Sequence, residues 1–461
     1  MEIIGQVIIY VMMAFVLIGA VAAIVNDDKG LGREFKEGIY SIGVIFLPVA
    51  GIMVFMPYLT QFVVTVLGPV YAWLHADPSL AATTIIAGDM GGYQLAHETA
   101  GSHGAWLMAF ATSLTAGATI IYSIPVGLAM LDKRDHKYMA LGFMSGLLTI
   151  PVAVFTTTLM LQLTQTPLRT EVSTEAPSVK PFDLGWGDIF LNLVPLAIFM
   201  VVLALCLRFF TDFMVKAFIV FGRVIDGVIK IGLALAVVEY FTGIFSTLFG
   251  GWGLDPFIAD EENQFRALEI AGYIGVMLAG AFPLVYAIRT WLARPLTVVG
   301  AKVGFTEEGA AGVIAGVVNI QAMFRLIKTM PPRDKVLCTA FAVCGAFSFG
   351  DHLAFIANFQ PNMVFPFIVG KVGAGLLAMV LAVWLSLPET RKLEAQDLAD
   401  GTIEPGEYSV PGEIRRKASP AILQASRAPG SEEPMETHEA THEDVGNQGS
   451  PTEERTSSVV T

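Results

Sequence analysis

Long apolar stretches separated by short polar ones set the pattern of this 461-residue chain. Nine of them, residues 3–25, 38–57, 106–130, 138–163, 189–207, 224–249, 267–288, 336–359 and 363–387, are long enough to cross a bilayer as helices. Two more, 79–95 and 309–326, are shorter and interrupted by glycine and polar residues. From Pro388 onward Glu, Pro, Ser, Thr and Gly dominate, and too little apolar surface remains to pay for folding. The pattern predicts an all-α polytopic membrane protein of about 9 to 11 transmembrane helices. It places a membrane domain over 1–387 and a disordered acidic tail over 388–461.

Composition agrees: with 54% hydrophobic and 15% charged residues, the apolar surface exceeds what one water-soluble core can hide. The acidic balance says little about a substrate, because the tail alone holds 15 acidic against 7 basic residues, a net of −8 out of −13. The start Met-Glu-Ile-Ile lacks a basic n-region, so the first apolar run is expected to stay as a helix. Cys206, Cys338 and Cys344 all fall in apolar runs without metal-ligand spacing, which points to packing. No Ser-His-Asp set, HExxH motif or phosphate-cradling loop stands out, so no catalytic residues, metal or cofactor are expected, and no nucleic-acid partner.

A shift of about 230 residues lays the chain on itself, pairing Glu37 with Glu269, Ile42-Gly43-Val44 with Ile274-Gly275-Val276 and Ala109-Phe110-Ala111 with Ala340-Phe341-Ala342. Repeat one covers about 1–165, a linker span 187–208, and repeat two 220–387. Lys and Arg favour the cytoplasmic side. They cluster at Lys29, Arg33 and Lys36; at Lys133, Arg134 and Lys137; at Arg325, Lys328, Arg333 and Lys335; and at Arg391 and Lys392. The 255–262 segment carries none and reads as outside. All these loops agree only if 79–95 and 309–326 are re-entrant, the first dipping from outside and the second from inside. The halves then run as an inverted repeat, with the N-terminus outside and the tail cytoplasmic.

Two motifs place carboxylates where hydrocarbon is expected: Gly88-Asp89-Met90-Gly91-Gly92-Tyr93 and Phe349-Gly350-Asp351-His352. An ionisable group at that depth costs at least about 2.5 to 3.5 kcal/mol, which makes each a functional candidate. Flanking glycines loosen the helix and let backbone groups face a cavity. Together they point to a polar site for a cation within the membrane.

The string Gly88-Asp89-Met90-Gly91-Gly92-Tyr93-Gln94-Leu95-Ala96, with Glu98 and Gly101, resembles the ethanolamine-utilisation membrane protein family, EutH. So do Tyr122-Ser123-Ile124-Pro125-Val126 and Ser348-Phe349-Gly350-Asp351-His352-Leu353, the latter followed by Ile368-Val369-Gly370-Lys371. The similarity covers roughly 1–387 and leaves out the tail. It implies movement of ethanolamine, a small cationic amine, across the bacterial inner membrane to feed its catabolism. For such a ligand Asp89 is the first candidate ammonium acceptor, with Tyr93, Gln94 and the carbonyls freed by Gly91 and Gly92 beside it. Asp351 is the second, with Phe349 as aromatic wall and His352 as hydrogen-bonding neighbour, while Asn319 and Gln321 line the inner re-entrant segment. The structural alternatives are a helix cap for Asp89, an interhelical hydrogen bond for Asp351 and helix-tying contacts for Asn319 and Gln321. Facilitated diffusion is the expected mode, with proton- or sodium-coupled symport and a membrane scaffold or sensor as alternatives. The surrounding partner is the lipid bilayer; a homo-oligomer stays open and no tail partner is assigned.

Overall fold

A helix satisfies its own backbone in hydrocarbon, whereas a broken helix must find other partners for its ends. Both kinds of element build this molecule. The computed structural model describes residues 2–409; the 410–461 part of the expected tail lies outside the described residues. Among the described residues, seven helical runs are long and apolar enough to cross a membrane: Gly5–Val25, Gly30–Met53, His103–Met130, Lys133–Thr164, Trp186–Phe209, Ala267–Trp291 and Pro361–Leu385. The described strands are one two-residue pair, Pro167–Leu168 against Lys180–Pro181. The chain is an all-α polytopic membrane protein, and all the described residues fall in a single unit.

Depth within the body varies sharply. The His103–Met130 run is central, with 94% of its window buried, whereas Gly5–Val25 is peripheral, with 11%. Leu17, Ile24, Phe199 and Trp384 point outward, as lipid-facing residues do. Small residues let helices approach closely: a Cβ on Gly38 would stand 2.5 Å from the Ala279 nitrogen, and one on Gly146 would stand 2.3 Å from the Val343 side chain.

Two expected spans differ. The 224–249 stretch belongs to the helices Thr211–Thr242 and Ile244–Phe249. Asp212, Lys216, Arg223, Asp226, Lys230 and Glu239 keep the longer one below the apolarity of the seven, and Lys230 and Asp226 pair at 2.7 Å across one turn. The 336–359 stretch is not one helix: Pro332–Gly345 and Asp351–Phe359 are separated by non-helical residues 346–350.

Both interrupted stretches fold back on themselves. In the first, Ser79–Ile85 leads through the single turn Gly88–Met90 into Gly92–Thr99. Its two ends meet at Asp77, whose Oδ1 accepts from the Ser79 N–H at 3.0 Å while Oδ2 accepts from the Gly101 N–H at 2.8 Å. In the second, Glu307–Val318 turns at Asn319 into Ile320–Ile327. Gly316 faces Met323 and Gly312 faces Met330, the register of an antiparallel hairpin. The base of this hairpin is held by Asp334, whose Oδ2 accepts from both the N–H and the hydroxyl of Thr306 at 2.8 Å.

The hairpins enter from opposite ends of the helical body. At the first base, His103 Nε2 bonds the Arg169 carbonyl at 3.0 Å, and the Arg169 N–H donates to Gln360 Oε1 at 3.0 Å. At the second base, Lys328 pairs with Asp132 at 3.4 Å and Lys335 with Asp135 at 2.6 Å. The His103–Met130 run joins the two ends.

The expected disorder from 388 onward is corrected for 388–409. Leu387–Ala399 is helical, and the following residues strap the end of the body that holds Asp135 and Lys335. Asp397 accepts from the Tyr138 hydroxyl at 2.5 Å and pairs with Lys137. Glu407 pairs with Arg134 at 2.8 Å, and Lys335 Nζ donates to the Tyr408 hydroxyl at 3.1 Å. Low hydrophobicity forbids an independent core here, but not docking onto a core already built.

The Asp135–Lys335 pair, each side chain 1% exposed, joins elements 200 residues apart. Lys335→Met leaves Asp135 buried and unpaired, and is expected to cost about 3 to 5 kcal/mol. Adding Asp135→Leu should recover most of that loss, with thermal unfolding in detergent as the measurement.

Candidate functional site

The tip of the first hairpin is a tight turn. Gly91 sits at φ +95, where a side chain is strained, and the Gly92 N–H donates to the Ala87 carbonyl at 2.9 Å. A Cβ on Gly92 would stand 2.6 Å from that same oxygen, so both glycines shape the turn that presents Asp89. The tip rests on the central helix. Gly117 lies under it, a Cβ there falling 2.3 Å from the Ile86 carbonyl oxygen, and Gly88 packs on Ser113 and Leu114.

The second tip closes differently. The Asn319 side chain accepts from the Gln321 N–H at 2.8 Å, so its oxygen caps the second arm. Gln321 Nε2 donates to the Tyr122 hydroxyl at 2.6 Å, which ties this tip to the central helix. The broken segment 346–350 lies along the first arm: the N–H of Phe347 donates to the Gly316 carbonyl at 3.3 Å and that of Phe349 to Val317 at 3.0 Å. Gly350 permits this, because a Cβ there would stand 2.1 Å from the Val318 oxygen.

Asp351 opens the next helix, Asp351–Phe359, and thereby comes within electrostatic reach of Asp89. Tyr122 feels both carboxylates. Asp89, Asp351, Tyr122, Asn319, Gln321 and Phe349 all remain partly exposed. The two carboxylates lie where the helix Asp351–Phe359 packs against the turn Gly88–Met90, and these half-buried side chains outline the candidate chamber. Neither makes an ion pair among the described residues. An ammonium group entering the chamber would find two carboxylates, the Tyr122 hydroxyl and the Gln321 amide oxygen.

Not every candidate reaches it. Tyr93 turns away into a fully buried aromatic cluster with Trp106, Phe110, Phe355 and Phe359, and its hydroxyl accepts from Gln360 Nε2 at 3.0 Å. Gln94 is 5% exposed, and neither amide atom has a partner among the described residues. His352 is buried; its Nδ1 lies 2.6 Å from Lys371 Nζ.

Three contributors are absent from the sequence candidates. Lys371 stands behind the chamber on the helix Val364–Leu385, and a charge within an apolar run was the mark that could have flagged it. Tyr122 was visible only as part of a motif. Phe347 forms an aromatic link of its own, its ring 5.9 Å from Tyr122 and 5.1 Å from His352. Its φ of +61 is a strained conformation for a bulky residue, costing about 1 to 3 kcal/mol.

At the end of the body that carries the first base, Arg266 clamps Asp255 at 2.8 Å and Asp260 at 2.9 Å. Partial burial lifts the Asp255 carboxyl above its ordinary value despite Arg266. Glu98 and Glu262 lie close to Asp255, and Arg169 and His103 stand at the same end.

Paired discontinuous helices meeting from opposite ends at a polar centre define a multi-pass membrane protein of the kind on which secondary transporters are built. The chain belongs to the ethanolamine utilisation protein EutH family, whose model matches residues 4–385. It is 35% identical over 395 residues to the probable ethanolamine permease EutH of Listeria monocytogenes, covering 86% of this chain and 97% of the relative. The probable ethanolamine permease EutH of Salmonella typhimurium is 35% identical over 406 residues, covering 83% of this chain and 95% of the relative. The uncharacterized protein YxeR of Bacillus subtilis is 32% identical over 390 residues, covering 84% and 97%. No solved structure matches the chain.

The tip contacts give a direct test. Gly350→Ala should destabilise the protein by about 1 to 3 kcal/mol, because the Val318 oxygen cannot yield without opening the hairpin. Gly187→Ala, with nothing within 4 Å, should stay within about 0.5 kcal/mol in the same thermal unfolding measurement.

Proposed function

We propose that the protein moves ethanolamine, as its ammonium, across the bacterial inner membrane by facilitated diffusion and so supplies ethanolamine catabolism. The observation that carries this reading is the meeting of Asp89 and Asp351 at the tips of elements that enter from opposite ends. Asp89 and Asp351 accept the ammonium, and Gln321, tethered to Tyr122, takes the hydroxyl. Phe349 walls the chamber, Asn319 and the backbone at Gly91 and Gly92 hold the tips, and His352 acts through Lys371. Tyr93 and Gln94 support the first hairpin from outside the chamber. The relatives named as permeases favour transport over catalysis.

The opposed hairpins support an inverted repeat over 1–165 and 220–387, joined by the 187–208 span. Arg134, Lys137, Lys328, Arg333 and Lys335 gather at the second base, which makes that end cytoplasmic by the bias of basic residues. The C-terminal strap and the tail after it then lie inside the cell.

Two outcomes follow in proteoliposomes loaded by labelled ethanolamine. Asp89→Asn and Asp351→Asn should each lower initial uptake by about tenfold to a hundredfold, the value of a charged hydrogen bond, with insertion intact. Normal uptake by both defeats the site, and no uptake by the unaltered protein defeats the function. An alkylammonium titrates near pH ~10, so its leaking free base falls about tenfold per pH unit. The ratio of protein-mediated to passive uptake should therefore rise between pH 8 and pH 6, and a flat ratio would count against carriage of the cation.

A further inference from the structure

Lys371 is a buried amine with no carboxylate at close range among the described residues. Its side chain is 2% exposed within Val364–Leu385. Nζ donates to the Leu114 carbonyl at 2.9 Å and to His352 Nδ1 at 2.6 Å, and lies 5.2 Å from the centre of the Phe367 ring. All three acceptors are neutral: with Nδ1 accepting, the imidazole carries its proton on Nε2. No carboxylate comes within ion-pair distance of Lys371 among the described residues. A charge so buried is normally paired.

Its balance lies in the chamber. The residues that hold Nζ are neighbours of the two carboxylates: Leu114 packs on Gly88, next to Asp89, and His352 follows Asp351. Asp89 lies within electrostatic reach of Nζ. Besides Asp89, the titratable groups facing Nζ are His352 and Cys344, and those facing the carboxylates are each other and Tyr122. With both carboxylates ionised and Lys371 protonated, the chamber holds a single negative charge before substrate enters. One substrate ammonium brings it to zero. Without Lys371 the same chamber would hold two negative charges, and a bound substrate would leave one uncompensated in a low-dielectric site.

Resting on the transport reading above, we infer that Lys371 is the resident counter-cation of the chamber, occupying the place a co-transported ion would otherwise fill. The protein therefore carries one ethanolammonium with a net movement of one charge and needs no sodium or proton gradient. Lys371 acts on ion requirement through the charge of the site, not through contact with the substrate.

The test is charge stoichiometry in proteoliposomes at clamped membrane potential. The unaltered protein should move one charge per ethanolamine, with initial rates changing less than about twofold when sodium or proton gradients are imposed. Lys371→Met should raise the ratio to two charges and make uptake rise about tenfold under an inward gradient of one of these cations. Lys371→Arg should keep the ratio at one. Gradient-driven uptake with two charges in the unaltered protein overturns the inference while leaving transport standing. So does an inserted Lys371→Met variant that still moves one charge without added cation, or one that moves nothing under any gradient. Should Lys371→Met fail to insert, the unaltered protein and Lys371→Arg decide. No ethanolamine uptake by the unaltered protein removes the transport reading and this inference together.

Discussion

The rest of the structure depends on backbone groups that have lost their helical partners at membrane depth. Hydrocarbon offers them nothing, so each break must lie against protein that can satisfy it. Here the breaks answer one another. Segment 346–350 donates from Phe347 and Phe349 into the carbonyls of Gly316 and Val317, next to the turn of the second hairpin. The first tip bonds within itself through Ala87 and rests on the central helix at Gly117. Breaks that must face one another are drawn to one region, and the carboxylates beside them come along. The polar centre is therefore a by-product of closing the fold.

How much of this could be read from the chain depended on whether the deciding residues were local. The hairpins were legible, since glycines and polar groups interrupt their apolar pattern and the basic loops forbid full crossings. The break at 346–350 was not, because Ala346, Phe347 and Phe349 read as ordinary span residues and the partners of their backbone, Gly316 and Val317, are distant in sequence. Tyr93 lies four residues from Asp89, but the helix between them turns it into the aromatic cluster. Residues 388–409 lack the hydrophobicity of a core and are held instead by long-range contacts from Tyr138, Arg134 and Lys335, which no local composition reveals.

Asp77 and Asp334 do the same work in the two hairpins by different means. Asp77 grips both ends of the first through backbone N–H groups, whereas Asp334 holds the entry of the second from the helix that follows it. Either way a carboxylate at the base holds the shape of a hairpin. The inner ends are otherwise unequal, with Asp89 on a hairpin turn and Asp351 on the first residue of a helix. The two carboxylates thus stand on non-equivalent elements.

The strap over residues 400–409 also sets an order of assembly. Tyr138 waits 259 residues for Asp397, and Asp135 waits 200 residues for Lys335. Made from the N-terminus, the first half enters the bilayer with an empty polar seat at one rim. That seat fills only when nearly all of the membrane-embedded chain has emerged. Late closure keeps the early helices free to rearrange during synthesis, and it gives the finished protein a rim whose integrity reports that translation ran past Tyr408.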